Sequence, residues 1–265
     1  MTLSVCVAGA TGWVGRPVAK AVMAAEDLDL RSAVSRTAAG RDLGEAWGGP
    51  ANDVPAFGSV AEALDGVDVL VEYTSHDSAL GNALASLERG VHVVIGSSGL
   101  VAEEFERIDE VARAAGVGVV AAGNFSITAA MAQSAALLVA HHMPDREIID
   151  YASATKPDVP SGTARELAER LGAVNQPTLQ LPLERTSGPV EARGATIAGT
   201  QVHSVRLSGF LLSTEVIFTA PDERLVIRHD AGPTPAPYVA GTLLAIRAVT
   251  ALRGLVRGLD TLLLG

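Results

Sequence analysis

The chain reads as an α/β protein in which a parallel-sheet domain is joined to a smaller α+β domain. Three observations predict this class. Short β-branched runs alternate with helical ones through the first part of the chain, a glycine-rich turn directly follows the first such run, and beyond about residue 173 the pattern gives way to Pro- and Gly-rich segments between shorter strands. Strands are expected at 3–8, 28–34, 67–72, 91–95 and 117–121, and helices at 17–25, 60–63, 78–89 and 102–115. That order builds β-α-β units. In an open parallel sheet ligands lie beyond the carboxyl ends of the strands, so the loops 9–15, 35–41, 73–76, 96–99 and 123–126 are expected on one rim.

A helix at 127–141, a strand at 148–152 and a helix at 161–171 follow. Residues 173–200 show no period, and 202–207, 212–218 and 224–229 read as antiparallel strands. The Gly-Pro-Thr-Pro-Ala-Pro run at 232–237 breaks any regular element and is expected to return the chain to the first domain, where 238–252 forms a helix. The expected division is 1–126 with 235–265 for a dinucleotide, and 127–234 for substrate binding and oligomerisation.

The 265 residues are 48% hydrophobic and 19% charged, a composition that builds a core and excludes a disordered or fibrous chain. Thirty acidic residues against twenty basic ones give a net charge of −10, which opposes nucleic acid and anionic membranes and leaves a small molecule as the expected partner. The single cysteine, Cys6, provides neither a disulfide framework nor a thiolate metal site, and no metal spacing is visible among the six histidines. No export signal or long apolar run is read, so a soluble cytoplasmic protein is expected.

The first strand runs into Gly9-Ala10-Thr11-Gly12-Trp13-Val14-Gly15 and then a helix. Glycines there allow a tight turn and close approach of backbone to a pyrophosphate, and the helix directs its first N–H groups at the anion. The context marks a Rossmann-type nucleotide domain. Where an NAD-preferring site places an acid after the second strand, this chain has Ser35 and Arg36, with Arg41 further on. Arginine suits a 2′-phosphate, so NADPH is expected to be preferred over NADH. In the second domain Lys156, one of only two lysines, precedes Pro157-Asp158-Val159-Pro160 and a Ser161-Gly162-Thr163 helix start. Hydroxyls and N–H groups at a helix N-terminus with a lysine nearby form a clamp for a carboxylate.

With these residues in view the chain resembles the 4-hydroxy-tetrahydrodipicolinate (dihydrodipicolinate) reductases of the lysine and diaminopimelate pathway, over essentially its whole length. The carriers are the 9–15 loop, Glu72-Tyr73-Thr74, Gly96-Ser97-Ser98-Gly99, Gly123-Asn124-Phe125-Ser126-Ile127 and, most specifically, Lys156 through Ala164. The resemblance implies that Tyr73, Thr74, Gly96, Ser97, Ser98, Gly123, Asn124 and Phe125 line the nicotinamide and its ribose. It implies that Lys156, Ser161, Gly162 and Thr163 hold a substrate carboxylate, and that the assembly is a homotetramer built through the second domain.

The chain also departs from the family pattern. Ala152 and Ser153 stand where the family carries a His-His pair whose first member is taken as the proton donor, and Ser213 stands where another histidine is common. Neither Ala nor Ser donates a proton near neutral pH, which leaves Lys156 and Tyr151 as candidate catalytic groups. The sequence therefore reads as an NAD(P)H-dependent reductase of a C=N or conjugated C=C–C=N bond in a small carboxylate-bearing imine, with an altered substrate. Its alternatives are an authentic pathway reductase and an NADP(H)-binding sensor without catalysis.

Overall fold

The computed structural model describes residues 2–210 and 212–264. The elements run β1 (Leu3–Ala8), α1 (Gly15–Ala24), β2 (Leu28–Val34), α2 (Leu43–Ala46), β3 (Ala56–Phe57), α3 (Val60–Ala63), β4 (Val69–Glu72), α4 (His76–Leu87), β5 (His92–Ile95), α5 (Ala102–Ala115) and β6 (Gly118–Ala121). Then come α6 (Ile127–Ala140), β7 (Arg146–Ala152), α7 (Gly162–Val174), β8 (Ala195–Ile197), β9 (Thr200–Arg206), β10 (Leu212–Ala220) and β11 (Glu223–Asp230). The chain closes with α8 (Ala236–Val249), β12 (Gly254–Arg257) and α9 (Leu259–Leu264). It divides into two compact units, Met1–Ile127 with Pro235–Gly265, and Thr128–Thr234.

The first unit holds a seven-stranded sheet in the order β12-β6-β5-β4-β1-β2-β3, parallel throughout. Strands covered on both faces read as unbroken apolar runs, which is why Val5–Ala8, Val69–Val71 and Val93–Ile95 are all buried. The pairings Ala8↔Val34, Ala8↔Glu72, Glu72↔Ile95 and Ile95↔Ala121 bring the carboxyl ends of five strands level. Helix α1 turns Val18, Ala19 and Val22 inward, and α5 ends at Gly116 in the left-handed region (φ 71°), an ordinary glycine stop. Cys6 lies inside this core, and burial pushes its thiol up to about 12, so it is a packing residue.

The second unit is a mixed sheet, β11-β10-β7-β9-β8. Its core gathers Ala136 and Ala140 of α6, Leu167 and Leu171 of α7, and Ile148, Val202, Val216 and Phe218 of the sheet. Arg146 stitches β7 to the end of α7: its guanidinium donates to Asn175 Oδ1 (2.6 Å), Asn175 O (2.8 Å), Pro144 O (3.0 Å) and Thr200 Oγ1 (3.2 Å). Such a buried arginine is tolerated because its donors are occupied.

Three strands escape the sequence reading. β3 has two residues, β8 sits in the aperiodic 173–200 stretch, and β12 carries an arginine and starts on a left-handed glycine, Gly254 (φ 80°). The strand at 202–207 was expected to be antiparallel to its companions. Instead β9 pairs in parallel with β7, which lies between it and β10, and only β8 joins it antiparallel.

Candidate cofactor cleft and carboxylate loop

In the first unit all five loops expected on one rim leave the carboxyl edge of the same sheet. Gly9 opens the first with φ 82°, and a Cβ there would collide with Tyr73 O, so only glycine lets the β1 and β4 loops touch. The turn is closed by Gly12 N donating to Gly9 O at 2.8 Å, and Ala10 O accepts from the Trp47 indole at 3.1 Å. Helix α1 then begins with no side-chain cap and no acid in its first turn. Arg16 N already donates to Gly12 O (3.1 Å), Val18 N to Val14 O (3.2 Å) and Pro17 has no N–H, so in the first turn it is Gly15 N that stands beside the loop amides to meet an incoming pyrophosphate. Trp13 is 52% exposed on this loop with its ring edge-on to Tyr238 at 6.0 Å.

Beside the loop lies a cleft of about 400 Å³ lined by Gly9, Thr11, Gly12, Ser35, Arg36, Thr37, Tyr73, Thr74 and Asn82 among others. Arg36 is exposed in it. Ser35 differs from expectation, since its hydroxyl is buried and shared between Thr11 Oγ1 (2.8 Å) and Thr37 Oγ1 (3.2 Å), bracing the glycine loop. These residues fit a dinucleotide: an uncapped helix start for the pyrophosphate, and a guanidinium with hydroxyls for a ribose end.

The nicotinamide-side residues sort by what is left to offer. Tyr73 donates to or accepts from Thr242 Oγ1 at 2.8 Å and packs edge-on to Phe125 (6.1 Å), and a Cβ at Gly96 would enter its ring. Phe125 is 1% exposed, so its side chain supports Tyr73 and only its backbone can face a ligand, a correction to the expectation that it lines the nicotinamide. Asn124 Oδ1 accepts from Ser126 N at 2.8 Å, while Ser97 and Ser98 follow β5 and Gly123 follows β6.

The second unit shows what the Lys156 loop is built on. Asp150 of β7 is fully buried and accepts from Ser161 N (2.8 Å), Ser161 Oγ (2.6 Å), Ser204 Oγ (3.2 Å) and Arg206 Nη2 (2.8 Å). Arg206 also donates to Asp158 O at 2.7 Å, fastening the loop to β9. Ser161 caps α7 through Ala164 N (3.3 Å). Its own N–H and hydroxyl are committed to Asp150, so the expectation that Ser161 offers both to a substrate is corrected: the positive helix end already holds an anion. Lys156 Nζ meets Asp158 Oδ1 at 2.7 Å, so an incoming carboxylate must share or displace that partner. Of the residues expected to form the clamp, Lys156 thus holds Asp158 and Gly162 opens α7.

Tyr151 is not part of this arrangement. The burial of β7 alternates, which places Tyr151 on the opposite face of the sheet from Asp150. There it stacks on Phe210 (5.0 Å, 28°) under the Arg228 guanidinium (5.0 Å), itself paired with Glu215 and Asp230. Ala152 is fully buried, on the same face as Asp150. Asp150 and Arg206 are the residues sequence reading missed. The signal was the polar Ser204 and Arg206 alternating in β9, which becomes meaningful only once Asp150↔Ser204 and Ala152↔Arg206 are known to pair.

A parallel sheet with a glycine-rich first turn and a dinucleotide-shaped rim, joined to a mixed-sheet unit, defines an NAD(P)H-dependent oxidoreductase. The family described as dihydrodipicolinate reductase, N-terminus, matches residues 3–125, and its counterpart, dihydrodipicolinate reductase, C-terminus, matches 124–263. The chain belongs to the dihydrodipicolinate reductase family. It is 39% identical over 99% of its length to the 4-hydroxy-tetrahydrodipicolinate reductase of Moorella thermoacetica, covering 98% of that protein. It is 38% identical over 98% of its length to that of Thermosynechococcus vestitus, covering 97% of that protein. The dipicolinate-bound dihydrodipicolinate reductase of Paenisporosarcina sp. TG-14 superposes with a TM-score of 0.78 at 28% identity, covering 98% of this chain and 99% of that one. Among the described residues no helix is long and apolar enough to cross a membrane.

Removing one partner of a buried ion pair strands the other, which costs about 3–5 kcal/mol. Asp150→Ala should lower the unfolding free energy by about that amount, measured by urea denaturation, and Asp150→Asn by less, because the amide oxygen still accepts from Arg206. An alanine variant as stable as the parent would show that Asp150 does not hold the loop.

Proposed function

We propose that this chain reduces the C=N bond, or a conjugated C=C–C=N system, of a small carboxylate-bearing imine, with NADPH as the preferred donor. The observation that carries the reading is the Lys156–Thr163 loop, anchored by Asp150 and Arg206 and presenting a lysine beside a helix start. A sensor without catalysis would have no use for that loop. The bound dihydronicotinamide supplies the hydride, and the chain's own residues hold the two partners: Arg36 the 2′-phosphate, the α1 start the pyrophosphate, Lys156 and Gly162 the substrate carboxylate. By the same resemblance we propose a homotetramer formed through the second unit and working in the cytoplasm.

For the substrate, the buried Ala152 favours an imine that arrives already protonated. A neutral conjugated imine needs an acid, worth typically 10²–10⁴-fold in rate, and no imidazole stands at 152 or 153. A protonated iminium needs none. The second reading, 4-hydroxy-tetrahydrodipicolinate reduction itself, is favoured by 37–39% identity to reductases of that name along nearly the whole chain.

Oxidation of NADPH, followed by its absorbance, with a panel of carboxylated cyclic imines and with 4-hydroxy-tetrahydrodipicolinate separates the readings. On the first, turnover with a cyclic imine falls as pH rises past the substrate's own pKa and the pathway intermediate is slow. Fast turnover of the pathway intermediate sinks it in favour of the second.

Lys156→Ala should raise KM for the acidic substrate by the equivalent of roughly 2–5 kcal/mol while leaving NADPH affinity unchanged, because a desolvated carboxylate loses its charged partner. An unaltered KM would remove Lys156 from the clamp.

Arg36→Ala should raise KM for NADPH by tenfold or more and leave that for NADH nearly untouched, since a hydrogen bond to a charged group contributes about 1.5–3 kcal/mol. A parent enzyme that already favours NADH would overturn the assignment.

A further inference from the structure

Glu72, the last residue of β4, is fully buried next to Tyr73 and Thr74, which line the cofactor cleft, and has no part in the chemistry described above. Four donors converge on it: Thr74 N (2.7 Å), the Thr74 hydroxyl, Asn82 Nδ2 (2.9 Å) and Ser97 Oγ (3.1 Å). They come from three segments, the β4 loop, α4 and the β5 loop. Burial holds the carboxyl group's pKa above the ordinary carboxylate value, and the hydrogen bonds from Thr74, Asn82 and Ser97 offset part of that rise.

An ionised carboxylate only accepts, and a hydroxyl has one proton. Thr74 and Ser97 therefore spend their protons inward on Glu72, and what Thr74 turns to the cleft is lone pairs. Asn82 points its amide nitrogen at Glu72 and at Thr74 Oγ1 (3.4 Å), which leaves its carbonyl oxygen. Thr74 and Asn82 thus form a patch of the wall whose side chains offer acceptors. It suits ligand hydroxyls or a carboxamide N–H₂ and repels phosphate oxygens.

We propose that Glu72 is a positioning residue that sets the hydrogen-bond polarity of the cleft, turning Thr74 and Asn82 into acceptors for the hydroxyl-bearing ribose or the carboxamide of the dinucleotide and directing its phosphates to the glycine loop. The proposal rests on the reading of the first unit as the dinucleotide cleft. It assigns which part of that ligand lies against β4 and names a residue that acts without touching it.

Glu72→Gln keeps the shape and inverts the polarity, because its amide donates where the carboxylate accepted. Calorimetric titration with NADPH should show Kd raised at least tenfold in Glu72→Gln. Steady-state assay of the folded variant should show the loss in the KM for NADPH, with kcat changed by less than about threefold. Thr74→Val, which removes the inward hydroxyl, should also weaken NADPH, and the double variant should be no weaker than Glu72→Gln alone, since both act through one network. Should Glu72→Gln fail to fold, the pair Thr74→Val against Thr74→Ser decides the matter, with only the serine variant retaining parental affinity. A parent protein that binds no dinucleotide defeats the cofactor reading itself. A parent that binds NADPH beside a Glu72→Gln or Thr74→Val variant that binds it equally well overturns the role of Glu72.

Discussion

A carboxylate taken out of water must find its hydrogen bonds inside the protein, and each unit of this chain is organised around one that does. Asp150 in the second unit and Glu72 in the first are both fully buried near the carboxyl end of a strand, and each gathers four donors. Leaving either unmet would cost more than most single interactions in the molecule contribute. The loops that meet this demand are the loops that carry the candidate site. Asp150 brings together β7, β9 and the start of α7. Glu72 brings together β4, α4 and the loop after β5. The same constraint that stabilises the interior thus sets the loop geometry, and no separate device is needed to hold a lysine or a threonine in place.

The two hubs differ in how they leave charge. Asp150 faces a guanidinium, so the pair is close to neutral, and the remaining positive character of the α7 start and Lys156 is partly met by Asp158. Under the proposed clamp, an entering carboxylate exchanges for Asp158 instead of filling an empty cationic hole. That arrangement limits affinity for adventitious anions and favours a ligand able to reach the helix N–H groups as well. Glu72, by contrast, is met by neutral donors alone among the described residues, and its burial holds its pKa up.

Much of this was legible in the sequence, and the reason is locality. The apolar runs of a parallel sheet, the glycine turn after β1 and the Lys156–Thr163 segment are each contained within a dozen residues, so β1, β2, β4, β5, β6 and the rim loops could be placed from pattern alone. What escaped depends on partners far along the chain. β12 is a strand only because it lies against β6, and Arg206 matters only because β9 pairs in parallel with β7 and sets it beside Ala152. Glu72 was visible within a motif, yet its role required Asn82 and Ser97, which the fold and not the spacing brings to it. Tyr151 was misjudged for a related reason: it is one residue from Asp150 in sequence, and in a strand one residue is the opposite face.

The alternation of β7 bears on the chemistry as well. Positions 150 and 152 share the buried face, and Ala152 fills its place with a methyl group. An imidazole there would add several heavy atoms to a site with no exposure, beside a carboxylate whose four donors fix its position, and overpacking of that kind strains side chains and backbone by about 1–3 kcal/mol. A proton donor would have to come from beyond the strand, at Ser153 or later, or be carried in by the substrate. The Ser153 hydroxyl is too weak an acid to donate near neutral pH and Lys156 is engaged by Asp158, which is the ground of the proposal that the substrate brings its own proton.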